Sequence, residues 1–153
     1  MCYREDMKWN ELDKENCPVA RGLSAVGDRW NMLILRDCFL GVRRFDAFQA
    51  NLGITRHILT DRLRKLVSMD ILRREKYMDN PPRYEYRLTE KGLDLYPVIL
   101  ALINWAEQHQ PTDGNSPYTL LDRETGELIE PVMIDAKTGK PLKARNVRAM
   151  KEE

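Results

Sequence analysis

Between residues 45 and 88 the apolar period of the chain switches from helical to alternating, and this switch constrains the fold more than any other feature. Phe45, Phe48 and Leu52 are spaced as two turns of helix, and Gly53 follows where a tight turn is needed. Thr55 is placed to cap the next helix. There Leu59, Leu63, Leu66 and Val67 fall within about a 100° arc at 100° per residue, while His57, Asp61, Arg64 and Lys65 point the other way. RYEYRL (83–88) alternates Tyr84, Tyr86 and Leu88 with polar residues, a strand pattern, and ILRREKY (71–77) is a weaker strand, apolar only at its ends. MDNPP between them has turn residues, with prolines that cannot continue a ladder.

Two helices joined by a glycine turn, the second basic on its outer face, followed at once by a projecting hairpin, make a winged helix-turn-helix. Upstream, in CPVARGLSAVGDRW, Pro18 suits a first helical position and Val19, Leu23 and Val26 follow at helical spacing until Gly27. Asp28 caps a second helix with the stripe Trp30, Leu33, Ile34 and Cys38, interrupted by Asp37, widened by Met32, Leu35 and Phe39, and ended by Gly41. Trp30, Phe45, Phe48, Tyr84 and Tyr86 are expected in core or hinge packing.

Downstream, Thr89 is expected to cap one long helix through TEKGLDLYPVILALINWAEQH. Pro97 has no amide hydrogen for the carbonyl of Leu93, so the helix should kink or loosen there. Its apolar residues spread over more than one face, which a single small core cannot cover. A second copy covering Leu93, Tyr96, Leu100, Ile103 and Trp105 is the economical explanation, giving a two-fold homodimer. QPTDGNSP is a linker by composition. Beyond it, LLDRETGEL and MIDAKTGKPL repeat Asp-x-x-Thr-Gly between apolar residues, which reads as two consecutive hairpins making a three-stranded β unit. The fold class is thus α+β: a winged helix-turn-helix with a long C-terminal dimerisation helix and a small β-hairpin appendage. The expected divisions are an N-terminal arm (1–16), the winged helix-turn-helix with its dimerisation helix (17–110), a linker (111–117), and the appendage with a frayed tail (118–153).

A chain of 153 residues suffices for one such domain plus an appendage. The longest apolar run, residues 98–103, is far too short to span a bilayer, and the charged start lacks the apolar stretch of a secretion signal. No membrane partner is expected; a cytoplasmic location with reduced cysteines is. Cys2, Cys17 and Cys38 lack close Cys-x-x-Cys pairing and the only histidines are His57 and His109, so neither metal nor cofactor is assigned. No Gly-rich phosphate loop or Ser/His/Asp set points to an enzyme. The net charge of +1 hides a polarity: residues 43–76 hold nine basic and four acidic residues, a net +5, leaving −4 elsewhere. That distribution favours double-stranded DNA over the alternative, a winged helix used only for protein contacts, which would present an uncharged or acidic recognition face.

The stretches CPVARGLSAVGDRWNMLILRDCFLGVRRF, LTDRLRKLV and PPRYEYRLTEKG, with INWAEQH behind, resemble the HxlR-type bacterial transcriptional regulators, winged-helix dimers related to the MarR group. The tail resembles the C-terminal extension of longer members, some of which carry Cys-x-x-Cys-Gly-like knuckles where this chain has Asp-x-x-Thr-Gly, a departure that argues against a metal there. The resemblance implies a homodimer that binds a pseudo-palindromic operator and represses or activates a neighbouring gene. The helix capped by Thr55 would then enter the major groove, with Arg56, His57, Thr60 and Arg64 at or near base edges and Lys65 beside them. Asp61 would take a cytosine amine or hold Arg64 or Lys65. Arg43, Arg44 and Arg83 suit phosphate or minor-groove contacts.

Cys17 stands just before Pro18, where the first amides of a helix and the positive end of its dipole surround the sulfur, with Arg21 one turn on. Several HxlR-like proteins sense oxidants, quinones or aldehydes through a cysteine that Cys17 matches, so a thiol-reactive signal is one expectation. The plainer reading is a small packed residue. The competing signal is a small molecule, in an apolar pocket between the long helix and the winged-helix core or under the appendage. Cys38, on the apolar stripe, is expected to be an inert core thiol.

Overall fold

The computed structural model describes residues 9–113 and 117–150. Cys2, the first half of the expected arm, three linker residues and the last three residues lie outside them. A 3-10 turn, Trp9–Lys14, leads into α1 (Pro18–Val26), α2 (Arg29–Phe39), α3 (Phe45–Leu52) and α4 (Arg56–Ser68). The hairpin β1 (Leu72–Met78) and β2 (Arg83–Leu88) follows, then α5 (Glu90–Leu93) and α6 (Tyr96–His109). The helix starts expected from sequence form as such: the Asp28 carboxylate accepts from the Trp30 amide at 2.9 Å and the Thr55 hydroxyl from the Ile58 amide at 3.4 Å. Gly53 closes α3 in the left-handed region at φ 63°, which glycine enters without steric penalty.

The chain forms two compact units, one ending at Ile99 and one beginning at Leu100. The first is built around Ile34 and Leu35 of α2, Phe48 of α3, and Leu59, Leu63 and Leu66 of α4, with Ile71 and Leu72 joining from the start of the hairpin, all buried. Among the described residues, two polar side chains are almost fully enclosed in this interior. Asn31 donates to the Ala25 carbonyl at 2.7 Å, and Asp37, expected only as a break in the stripe, is buried and accepts from the Arg36 guanidinium at 2.7 Å. Leu33 and Trp30 are only half-buried, so the core face of α2 is rotated toward Asn31 and Asp37 relative to the expected stripe.

The single helix expected from Thr89 to His109 is two helices. Thr89 caps only α5: its hydroxyl accepts from the Gly92 amide at 3.1 Å and donates to the Asp70 carbonyl at 2.6 Å. The break falls at Asp94 and Leu95, just before the turn that Pro97 interrupts. Pro97 becomes the second residue of α6, where its missing amide hydrogen leaves no bond unmade, and the Leu95 carbonyl accepts from Val98 at 3.1 Å. Gly92 lets α5 approach the chain, since a β-carbon there would collide with the Ile71 carbonyl oxygen.

The second unit holds the rest of α6 and the repeated segment. The expected three-stranded sheet does not form: each repeat closes a separate turn with one antiparallel bridge, Leu121 with Leu128 and Ile134 with Pro141. Pro131, between the two turns, cannot donate to a ladder, which works against a shared central strand. Each turn is fixed by its aspartate. Asp122 accepts from the Glu124 and Thr125 amides at 2.9 and 2.8 Å, and Asp135 accepts from the Thr138 hydroxyl at 2.7 Å and the Lys137 amide at 3.1 Å. These bonds to the ionised form hold both carboxyls below their ordinary range. No helix among the described residues is long and apolar enough to cross a membrane.

Candidate nucleic-acid interface

The apolar face of α4 is locked into the core, and this leaves its opposite face bare: Thr55, Arg56, His57, Asp61 and Arg64 are exposed, Thr60 and Lys65 half-buried. Arg56 lies over the Phe45 ring at 4.6 Å and 3.9 Å from the Asp46 carboxylate, so the start of α3 steadies the first residue of α4. His57 pairs with Asp61 one turn on at 3.3 Å. Asp61 pairs with neither Arg64 nor Lys65, although both lie within one turn of it. The Thr60 hydroxyl donates to the Arg56 carbonyl at 2.8 Å and keeps its lone pairs for a donor. Arg64 and Lys65 enter no ion pair among the described residues.

Arg62, counted in the same basic stretch, faces inward instead: its Nη2 donates to Asp28 at 3.3 Å, bracing α4 against the start of α2. The residues before α3 join the hairpin on its other edge. The Tyr86 amide donates to the Arg43 carbonyl at 2.8 Å, Arg44 bridges Glu85, and the Arg44 guanidinium lies over Tyr77 at 4.8 Å. Arg43 and Arg44 are both exposed, as is Arg83 at the far side of the hairpin turn.

The two faces of the hairpin differ in charge chemistry. On one, Arg73 lies opposite Arg87 and Glu75 opposite Glu85, an arrangement of like charges neutralised by pairs along each strand, Arg73 with Glu75 and Arg87 with Glu85 at 2.7 Å, and by one diagonal pair, Arg87 with Glu75. On the other, Arg74 and Lys76 lie opposite Tyr86 and Tyr84, and Arg74 stacks on Tyr84 at 3.6 Å. Tyr84, expected as packing, is thus an exposed platform for a cation. A cleft of about 440 Å³ between this face and α4 is lined by Phe45, Thr60, Arg64, Val67, Arg74 and Tyr86, and no carboxylate borders it.

Arg74 was not among the residues the sequence singled out. Its signal was available only through register, since pairing with Tyr86 decides which face it occupies. The structure brings Arg56, Thr60, Arg64 and Arg74 around one basic, partly aromatic surface, with His57 and Lys65 on the same helix.

The remaining expected sites lie elsewhere. Cys17 is half-buried at the start of α1 without a side-chain capping bond, and Arg21 donates to the Glu15 and Asn16 carbonyls at 2.8 and 2.9 Å. Burial pushes the Cys38 thiol up to about 12, and the neighbouring Asp37 carboxylate adds to the rise. On and before α6, Leu93 and Trp105 are exposed, Leu100 and Ile103 half-buried, and Tyr96 stacks against Phe39 at 4.7 Å.

The family model described as HxlR-like helix-turn-helix matches residues 25–113. An uncharacterized HTH-type transcriptional regulator of Mycobacterium tuberculosis, Rv3095, is 43% identical over 129 residues, 84% of this chain and 82% of that protein. Among solved structures, that of PA1607, a transcription-factor candidate, is similar with a TM-score of 0.83 and 36% identity, covering 93% of this chain and 99% of that one. The redox regulator HypR in its oxidized form is similar with a TM-score of 0.58 and 35% identity, covering 63% of this chain and all of HypR.

Proposed function

Because the chain belongs to the HxlR-like helix-turn-helix family of transcriptional regulators, we propose that it binds a pseudo-palindromic operator as a homodimer and represses or activates a neighbouring gene. The two copies of α4 enter successive major grooves about 34 Å apart. Arg56, His57, Thr60 and Arg64 reach base edges, with Thr55 and Lys65 flanking them, while Arg43, Arg44 and Arg83 hold phosphates or the minor groove. Arg74 joins them from the root of the hairpin: the phosphate ridge between the two grooves passes through the cleft between α4 and the hairpin, which Arg64 and Arg74 line. The observation that carries this reading is the outward face of α4, basic, exposed and rigidly presented by a buried leucine stripe. Pairing across Leu93, Tyr96, Leu100, Ile103 and Trp105 covers the apolar residues on and before α6.

A gel mobility-shift titration with DNA upstream of the protein's own gene tests it. A discrete complex that resists competition by random DNA is expected. No shift, or equal competition by any DNA, refutes operator recognition and leaves a winged helix used for protein contacts.

The switch in this reading is Cys17, and its position at the helix start favours it over Cys38. The sulfur adds to an electrophile, or two copies join as a disulfide while a peroxide takes up the two electrons and two protons. Either change rotates one half of the dimer and alters the spacing of the two α4 helices. HypR, to which the chain is similar, is named a redox regulator. If a Cys17→Ser variant still responds to the inducing signal, the effector is a small molecule instead.

A further inference from the structure

The appendage is poorly satisfied in a single chain. Residues 118–150 carry eleven charges, and none of them enters an ion pair among the described residues. Its large apolar side chains are also turned outward: Leu128 is 75% exposed, Val132 69% and Met133 63%, with Leu121 and Ile134 at least half exposed. Solvated loops seldom concentrate so many large apolar groups without a partner surface.

The charges are sorted. The first turn and its flanks, residues 120–130, hold Asp122, Glu124, Glu127 and Glu130 against Arg123, a net of −3. The second, residues 133–148, holds Lys137, Lys140, Lys143, Arg145 and Arg148 against Asp135, a net of +4. The two turns share one backbone plan, so they present similar shapes with opposite sign. A surface that carries both halves of a complementary pair matches a second copy of itself: across a two-fold axis the first turn of each copy meets the second turn of the other, twice.

We propose that the appendage is a second self-association surface, on which the acidic turn of one copy docks against the basic turn of its partner and the apolar residues between them are covered. The proposal rests on the homodimer of the preceding reading and assigns part of that contact to residues 118–150. It gives the repeat a purpose that neither metal binding nor DNA reading supplies. Asp122 and Asp135 are spent on fixing the turns, which leaves Glu124, Glu127, Lys137 and Lys140 to face the partner.

Charge exchange in the full-length chain tests it, with the dimer dissociation constant read by sedimentation equilibrium. At these four facing positions E124K/E127K leaves only lysines and K137E/K140E leaves only glutamates, and each is expected to weaken the dimer roughly tenfold. The fourfold variant exchanges the signs at those four positions, keeps the net charge, and is expected to return to within about twofold of the starting protein. E11K/D13K changes net charge as much as E124K/E127K but lies outside the appendage, and should leave the constant unchanged. Failure of the fourfold variant to recover, or an equal effect of E11K/D13K, overturns the proposal. If all variants dimerise like the parent, α6 alone holds the dimer and the operator reading stands without this surface. If K137E/K140E weakens DNA binding without altering the dimer, the basic turn is a DNA contact and the proposal fails. A parent chain that stays monomeric overturns both readings.

Discussion

Arg62 donates to Oδ2 of Asp28 at 3.3 Å, while Oδ1 of the same carboxylate accepts from the Trp30 amide at 2.9 Å. One side chain thus starts α2 and braces α4, the helix proposed to read DNA. Asp28→Ala removes both contacts and is expected to cost about 1–2 kcal/mol, chiefly through the lost cap. Arg62→Met removes only the partly exposed pair and should cost about 0.5–1 kcal/mol. Denaturant unfolding of the two variants checks the order; an Arg62→Met loss as large as that of Asp28→Ala contradicts the double role.

Arg56 and Arg64 stand one face apart from the core on α4, and a bidentate contact to guanine is within the chemistry of each. Arg56→Ala or Arg64→Ala is expected to lower operator affinity by about 1–3 kcal/mol and to relax base preference. Arg43→Ala or Arg74→Ala should instead weaken binding to operator and random DNA alike and flatten the salt dependence. Parallel titrations on the two DNAs separate the classes. Equal weakening by all four arginines contradicts base reading by α4.

How much of this was legible in the sequence follows from the range of the interactions. The helices around Gly53 and the wing strands are set by local spacing and by caps within three residues, so Asp28, Gly53 and Thr55 declared their roles directly. The inward turn of Arg62, the burial of Asp37 and the stacking of Arg74 on Tyr84 depend on partners that only tertiary packing supplies. Pro97 announced a disturbance but not its form, because only the tertiary fold decides that the chain ends one helix at Leu93 and starts another at Tyr96. In the appendage the Asp-x-x-Thr-Gly turns were readable, whereas the absence of a joint sheet depends on Pro131 at a position where a central strand needs a donor.

Gly92 joins α5 to the hairpin at a distance no larger residue can match. Gly92→Ala places a methyl group against the Ile71 carbonyl and forces α5 away from it, at an expected cost of about 1–3 kcal/mol. The bonds of Thr89 to Asp70 and Ile71 lie in the same seam, so the loss should appear as lower thermal stability and faster amide exchange there. Unchanged melting contradicts the close approach.

Cys17 and Cys38 should separate by reactivity. With its thiol pushed up to about 12, Cys38 carries almost no thiolate near neutral pH and is expected to resist alkylation until the pH nears that value. In a Cys2→Ser background, iodoacetamide should label Cys17 first at pH 7.5, as read by mass spectrometry after digestion. Preferential labelling of Cys38 contradicts its enclosure and removes the reason for placing the switch at Cys17.

The central claim, that paired α4 helices read neighbouring grooves of one duplex, is tested most directly by hydroxyl-radical footprinting on the operator found by mobility shift. Two protected half-sites related by a dyad and centred about 10 base pairs apart, or a whole number of helical turns apart, are expected. Arg64→Ala should lose both together. A single protected patch without dyad symmetry, or protection unaffected by the loss of Arg56 and Arg64, contradicts it.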